Sequence, residues 1–169
     1  MELSQLFKVQ EIVEAHIKSI SSMEEDLLGI SNIFELRFLA LQVKTSEIAN
    51  LTKCYKYSRI KENIQRDKLF TRYLEAMGFL LSIGNVHSFN FIELEAVYTH
   101  QKEDSIIKIF SSIFDDITAL KYSLQQDDFY SSLTAYIRLF ARYLHLAEEL
   151  GINLEEIYDY YLNRYTIKK

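Results

Sequence analysis

Proline is absent from the 169-residue sequence, and glycine occurs only four times. Proline ends helices and glycine supplies the backbone angles of tight turns, so their scarcity favours long helices joined by few sharp turns. Strand signals are lacking as well, because no alternating run of β-branched residues is bounded by turn residues. Hydrophobic residues make up 49% of the chain and charged residues 25%, which is typical of a globular protein. The sequence therefore predicts an all-α fold, a bundle of about six helices that forms one domain over residues 1–169.

The chain also lacks a second cysteine, a basic stripe and a long apolar run. The single cysteine, Cys54, cannot form an internal disulfide, so we expect a cytoplasmic location and a small, buried side chain. The net charge of -5 is spread along the chain, so we expect no nucleic-acid partner. Charges interrupt the N-terminal residues every few positions, which predicts neither a signal peptide nor a membrane span, and we expect no membrane partner. The histidines lack the spacing of metal ligands; they are His16, His87, His100 and His145.

Apolar residues recur at intervals of three and four along most of the chain, which predicts amphipathic helices. The expected helices cover residues 3–21, 33–57, 69–84, 105–124, 129–150 and 154–165, with a shorter one near 91–100 and a polar connection over 59–68. Polar residues typical of helix caps precede four of them: Asn32 with Glu35, Asp104, Asp128, and Asn153 with Glu156. Gly84 and Gly151 are expected to end helices, because glycine accepts left-handed backbone angles.

Two of the predicted helices each place a charged pair on an otherwise apolar surface. Lys44 and Glu47 lie three residues apart on the second helix, and Arg72 and Glu75 lie three apart on the third. Residues at this spacing share one helical face, so each helix presents its pair to the same neighbour. Charges in apolar surroundings are costly unless they are paired or bound to a ligand, so these four residues form the candidate functional site.

Two further groups of polar side chains have alternative interpretations. Gln10 and Glu14 lie one turn apart on the first helix, either as a solvated edge or as a polar handle for a ligand. The last helix carries four tyrosines close together, which indicates partly buried core more often than a binding surface; they are Tyr158, Tyr160, Tyr161 and Tyr165.

Four segments, taken in order, resemble the dimeric all-α dUTPase family, which belongs to the MazG-like superfamily of all-α NTP pyrophosphatases. They are LFKVQEIVEAHI, LALQVKTSEIANLTKCYKY, YLEAMGFLLSIG and LGINLEEIYDYYLNR. The resemblance implies the all-α NTP pyrophosphatase fold, a homodimer, and magnesium-dependent hydrolysis of dUTP to dUMP and pyrophosphate. In such enzymes carboxylates from two helices gather magnesium, which requires hard oxygen ligands.

The positions that hold metal in that family carry cations as well as acids in this chain. The resemblance places the family's ExxE pair at Lys44 and Glu47, and its ExxD pair at Arg72 and Glu75. A divalent ion about 5 Å from a monovalent cation is repelled by roughly 7 kcal/mol at an effective dielectric of about 20. We therefore expect a metal-free set of salt bridges, with Glu47 and Glu75 as a degenerate catalytic pair and no cofactor. If the site is active, Glu47 and Glu75 would bind magnesium.

Other positions of the family pattern are partly kept. The resemblance implies that Gln10, Glu14 and Asn50 help to hold the base or sugar, so a deoxyuridine nucleotide is the candidate ligand. Five positions depart from the family pattern: Leu51, Ser58, Gly78, Tyr165 and Lys168.

Three functions follow from these observations. The first is a dUTPase homologue with an impaired or inactive site that acts as a homodimeric scaffold or as a nucleotide- or protein-binding module. The second is a working magnesium-dependent dUTP or NTP pyrophosphohydrolase with an altered site, which would need a further carboxylate from Glu35, Asp115 or Asp116. The third is an interaction module that uses the tyrosine surface of residues 158–165.

Overall fold

The computed structural model describes residues 2–21, 29–57 and 64–165, and within these ranges it contains seven α-helices and no strand. In chain order the helices are α1 (Leu3–Ser21), α2 (Ile30–Thr52), α3 (Arg66–Val86), α4 (Leu94–Tyr98), α5 (Ile106–Gln125), α6 (Phe129–Glu149) and α7 (Leu154–Tyr165). The predicted all-α fold is confirmed, and α1 and α7 have the predicted bounds. Within the described ranges, no helical segment combines the length and apolar composition that a membrane crossing requires.

Helix α2 begins three residues earlier and ends five residues earlier than the predicted helix over 33–57. It begins at Ile30, directly after Gly29 at φ 76°, so Asn32 lies inside the first turn and the predicted capping box is wrong. It ends at Thr52 because Lys53 adopts the left-handed conformation with φ 53°. Two local backbone angles, rather than a side-chain cap, therefore set the length of this helix.

Helix α3 is longer than predicted at both ends. It begins at Arg66, inside the predicted connection, of which residues 59–63 lie outside the described ranges. It continues to Val86, so the prediction that Gly84 ends the helix is wrong. A Cβ on Gly84 would overlap the Tyr136 hydroxyl and lie 2.6 Å from Phe7 Cε1. This glycine therefore allows α1 and α6 to approach α3 closely.

Two of the predicted caps are confirmed. Asp128 accepts a hydrogen bond from the Ser131 backbone N–H (3.0 Å) at the start of α6. Asn153 and Glu156 form a reciprocal capping box at the start of α7, with N–H to side-chain oxygen distances of 2.9 and 3.0 Å. Gly151, at φ 70°, follows α6 as predicted.

The predicted cap of α5 is displaced by one residue. Ser105 rather than Asp104 occupies the cap position, and its hydroxyl accepts from the Lys108 backbone N–H (3.3 Å). Asp104 instead pairs with the Lys108 side chain, with 2.8 Å between Oδ2 and Nζ. The Ser105 hydroxyl therefore caps α5, and the Asp104 carboxylate lies on the helix surface.

Helix α3 occupies a central position. It packs against α1, α2 and α6, while α5 packs on α6 and α2, α1 on α7, and α4 on α6. Large buried side chains fill the space between them, among them Phe7, Phe38, Tyr73, Phe89, Tyr136, Phe140 and Tyr143. Both α1 and α2 rest on α3 with little contact between them, which leaves room for a cavity over α3.

Candidate functional site

The charged pairs of α2 and α3 meet across the contact between these helices. Lys44 Nζ lies 3.3 Å from Glu47 Oε2 and 3.2 Å from Glu75 Oε2. On the other side, Arg72 Nε lies 3.1 Å from Glu47 Oε2, and Arg72 Nη1 lies 2.7 Å from Glu75 Oε2. Each cation therefore contacts both carboxylates, and each carboxylate contacts both cations. We call these four side chains the ion-pair ring.

The ion-pair ring lies at the protein surface, since its side chains are between 24% and 42% exposed. Burial by itself would raise the pKa of Glu75, but hydrogen bonds from Arg72 and then Lys44 outweigh it, and the pKa is lowered. The hydrogen bond to Glu75, together with the charges of Glu75 and Glu47, raises the pKa of Arg72. Both partners are therefore held in their charged forms at neutral pH.

Buried hydrogen bonds hold α2 and α3 in place behind the ion-pair ring. Thr45 and Tyr73 directly follow Lys44 and Arg72 in the chain, and both side chains are fully buried. The Thr45 hydroxyl is hydrogen-bonded to the Tyr143 hydroxyl, and Tyr73 Oη donates to the Tyr143 carbonyl (2.8 Å). One residue of α6 thus fixes both helices, through contacts that involve none of the four charges.

A cavity of about 640 Å³ lies on one side of the ion-pair ring, lined by residues of α1, α2, α3 and α7. We call it the first cavity. Its walls are mainly apolar and include Val13, Ile17, Leu36, Leu74 and Phe79. Lys44 and Glu75 of the ring also line it. The size and the apolar walls with a few polar groups are typical of small-molecule sites.

The polar handle predicted on α1 faces the first cavity. Gln10 is only 8% exposed, so the interpretation as a solvated edge is wrong for this residue. Its Nε2 donates to Glu14 Oε1 (3.3 Å). A Cβ on Gly78 would lie 3.4 Å from Gln10 Oε1 and 3.5 Å from Tyr161 Oη, so the missing side chain leaves space beside both oxygens. An amide and a hydroxyl beside an open space can pair with the polar edge of a ligand.

A second cavity, of about 590 Å³, lies on the other side of the ring, and we call it the second cavity. Its lining residues are Glu47, Asn50, Leu51, Asp67, Lys68, Thr71 and Arg72. Asn50 accepts a hydrogen bond from Tyr55 Oη (2.8 Å) there, away from Gln10 and Glu14. The three predicted nucleotide-binding residues therefore do not share one cavity. Thr71 lines both cavities, with the ring between them.

The carboxylates that an alternative metal site would need lie elsewhere. Glu35 pairs with Lys121, Arg138 Nε donates to Asp116 Oδ1 (2.6 Å), and Asp115 is exposed on α5. In the part of the chain that the structure describes, no group of three or more histidine, cysteine, aspartate or glutamate side chains could hold a metal ion. Magnesium requires several oxygen ligands, and both ring carboxylates are already neutralised by cations. The donor set therefore does not fit magnesium.

The remaining candidates have mainly structural positions. Tyr158 and Tyr161 are buried, as expected of core residues, and Tyr161 Oη donates to the Leu74 carbonyl (3.1 Å), while Tyr160 is partly buried. Cys54, expected to be buried, is only partly buried, and it packs against the hydrophobic core. Three candidate positions lie outside the described side chains: Ser58, Tyr165 and Lys168.

Sequence reasoning missed two residues of this region. Arg37 lines the first cavity, and Thr71 lines both cavities. Arg37 is seven residues before Lys44 and so lies on the same face of α2, two turns away. That spacing was a usable signal, whereas nothing in the sequence around Thr71 indicates a cavity.

Comparison with known proteins gives one family. A family model described as dUTPase matches residues 2–169, essentially the whole chain. Comparison with curated proteins gave no match, and comparison with solved structures gave none.

Proposed function

Because this chain belongs to the dUTPase family, we propose that it is a member whose metal site has become an ion-pair ring, with pyrophosphohydrolase activity impaired or lost. In this proposal Glu47 and Glu75 are the remnants of the catalytic pair, and the chain acts as a homodimeric, nucleotide-binding module. Dependence on magnesium is usual in the family, so the loss of metal would be a departure from it. The cytoplasmic location rests on the single cysteine and stays a prediction.

The observation that carries this proposal is the closure of the ring. Lys44 and Arg72 bring two positive charges against two carboxylates, so the formal charge of the four side chains is zero. A magnesium ion would have to displace both cations from the two carboxylates or accept their repulsion. The salt bridges of the ring hold α2 and α3 together at this contact. In a site made of carboxylates alone, a bound metal ion would have that role.

The first cavity supports retained nucleotide binding. Gln10 offers an amide, and Tyr161 a hydroxyl, on either side of the space left by Gly78. Such groups suit the polar edge of a pyrimidine base, while the apolar walls suit its faces. Asn50 would serve a different part of a ligand, because it lies in the second cavity.

The homodimer is supported by an exposed apolar stripe on α2. Leu36, Leu39 and Val43 are 41%, 61% and 45% exposed, and their spacing of three and four residues places them on one face. Oligomers are usual in this family. We expect Leu39→Glu to convert a dimer into a monomer in light scattering, whereas Tyr122→Glu, at an exposed residue of another helix, leaves the mass unchanged. A wild-type monomer at micromolar concentration would contradict the homodimer.

The test of the lost metal site is to restore both acids. In the double variant Lys44→Glu/Arg72→Glu we expect magnesium binding by calorimetry, whereas the wild-type protein releases no pyrophosphate from dUTP and magnesium above background. The matched control, Lys8→Glu/Lys56→Glu, makes the same change in net charge at exposed positions and should gain no magnesium site. Circular dichroism checks that each variant is folded. Wild-type turnover that stops on chelation would overturn the proposal and support the magnesium-dependent enzyme.

A further inference from the structure

Five charged side chains line the first cavity: Glu14, Lys18, Arg37, Lys44 and Glu75. Lys44 and Glu75 belong to the ion-pair ring, Glu14 accepts a hydrogen bond from an amide, and Lys18 has an interaction of its own. Arg37 differs from these four, because it forms no ion pair or hydrogen bond with any residue that the structure describes.

Arg37 lies on a mainly apolar part of the cavity wall. The residue is partly buried on a cavity whose neighbouring wall residues on α2, Ile33 and Leu36, are apolar. Burial and, secondly, the charge of Arg37 lower the pKa of His87.

The position of Arg37 separates it from the ring. Seven residues along α2 correspond to about 10.5 Å between Arg37 and Lys44. The ring end of the cavity is neutralised internally, so a ligand's negative group gains most at the Arg37 end. The planar fork of a guanidinium fits one phosphate with two parallel hydrogen bonds.

We propose that the first cavity takes a nucleoside monophosphate without metal, with the phosphate on Arg37 and the nucleoside against the apolar walls. This rests on the proposed function, and it names the ligand class of the same cavity. One guanidinium matches one phosphate group. A triphosphate brings roughly three to four negative charges, which in this family a metal helps to hold, so the monophosphate is preferred over it.

The test compares dUMP, deoxyuridine and dUTP, each without metal and with chelator present, by calorimetry on the full chain. We expect dUMP to bind wild-type protein about 10- to 100-fold more tightly than deoxyuridine, the range given by charge-assisted hydrogen bonds. Arg37→Gln should remove this difference and leave deoxyuridine binding unchanged. The control variant Lys8→Gln changes an exposed lysine of α1 outside the cavity and should keep the difference in affinity between dUMP and deoxyuridine.

Two outcomes are distinguishable failures. If no ligand binds, nucleotide binding fails and this inference fails with it. If dUMP and deoxyuridine bind equally well, or if Arg37→Gln keeps the difference, the phosphate site is overturned while nucleotide binding stands. Titration of His87 by NMR gives an independent readout, because an anion on Arg37 should raise the pKa of His87 whereas deoxyuridine should leave it unchanged.

Discussion

Two groups of two acids and two cations lie within the described ranges of the chain, and their environments differ. The ion-pair ring between α2 and α3 is closed and partly exposed. The second group, which we call the α5–α6 network, is an open chain: Glu103, Arg142, Asp116 and Arg138. In it Arg142 Nη1 lies 2.9 Å from Glu103 Oε1, while Arg142 Nε and Asp116 Oδ2 are 3.6 Å apart.

The α5–α6 network is more buried at its centre than the ring, since the side chains of Asp116 and Arg142 are 8% and 16% exposed, while those of Glu103 and Arg138 are 25% and 36% exposed. Asp116 is 6% exposed, and neither its Oδ2 nor Arg142 Nε has a hydrogen-bond partner. A buried charge that loses its partner is far more costly than an exposed one. Two acids and two cations therefore form a structural element in the α5–α6 network. In the ion-pair ring, two acids and two cations form a surface site whose members can be exchanged at small cost.

Removing the acid of the α5–α6 network should give the largest effect. Asp116→Ala leaves Arg138 and Arg142 without their shared carboxylate, and we expect a loss of about 3–5 kcal/mol in the free energy of unfolding by urea denaturation. Asp115→Ala, next in the chain and exposed, is the control and should change stability by less than about 0.5 kcal/mol. Equal effects of the two variants would contradict the distinction between the two groups.

Removing one acid of the ion-pair ring should have a smaller effect. Glu75→Gln leaves both cations on Glu47, and because the side chains are partly exposed we expect a loss of only about 1 kcal/mol. The same urea denaturation measures it, and 0.5 M salt should reduce the difference from wild type. A loss as large as that of Asp116→Ala would show that the ring is as structural as the α5–α6 network.

The smallest expected effect is the change with pH in the difference between the unfolding free energies of wild type and Glu75→Gln. The sign of this change follows from the pKa of Glu75. The pKa of Glu75 is lowered in the folded protein, so its contribution is present above the unfolded value of about 4.3 and is lost as pH falls through the folded value. The difference between wild type and Glu75→Gln should therefore be constant from pH 7 to about pH 5.5. It should shrink below about pH 4. A difference that grows on acidification would mean that the pKa of Glu75 is raised instead.

The contrast between the two groups also explains what the sequence could reveal. Lys44 with Glu47 and Arg72 with Glu75 are local pairs on single helices, so their spacing alone placed each pair on one face. The α5–α6 network extends from residue 103 to residue 142 and has no local pattern, so only the packing of α5 on α6 reveals it.

Tertiary contacts account for the other predictions that differ from the structure. Gly84 has the sequence context of a helix end, but its function is to let Tyr136 and Phe7 approach. Gln10 reads as an edge residue from α1 alone, and it becomes buried because α3 and α7 pack beside it. Asn50 is separated from Gln10 by the cavities on either side of the ring, which no single helix could indicate.

Tyr143 has a consequence for how this protein could diverge. Its hydroxyl and its carbonyl fasten α2 and α3 from the interior, whatever side chains stand on the outer face of that contact. Side chains on that face can therefore be exchanged one at a time while the backbones of α2 and α3 stay in register. An architecture braced in this way tolerates changes of charge at its surface, because its interior contacts do not depend on them.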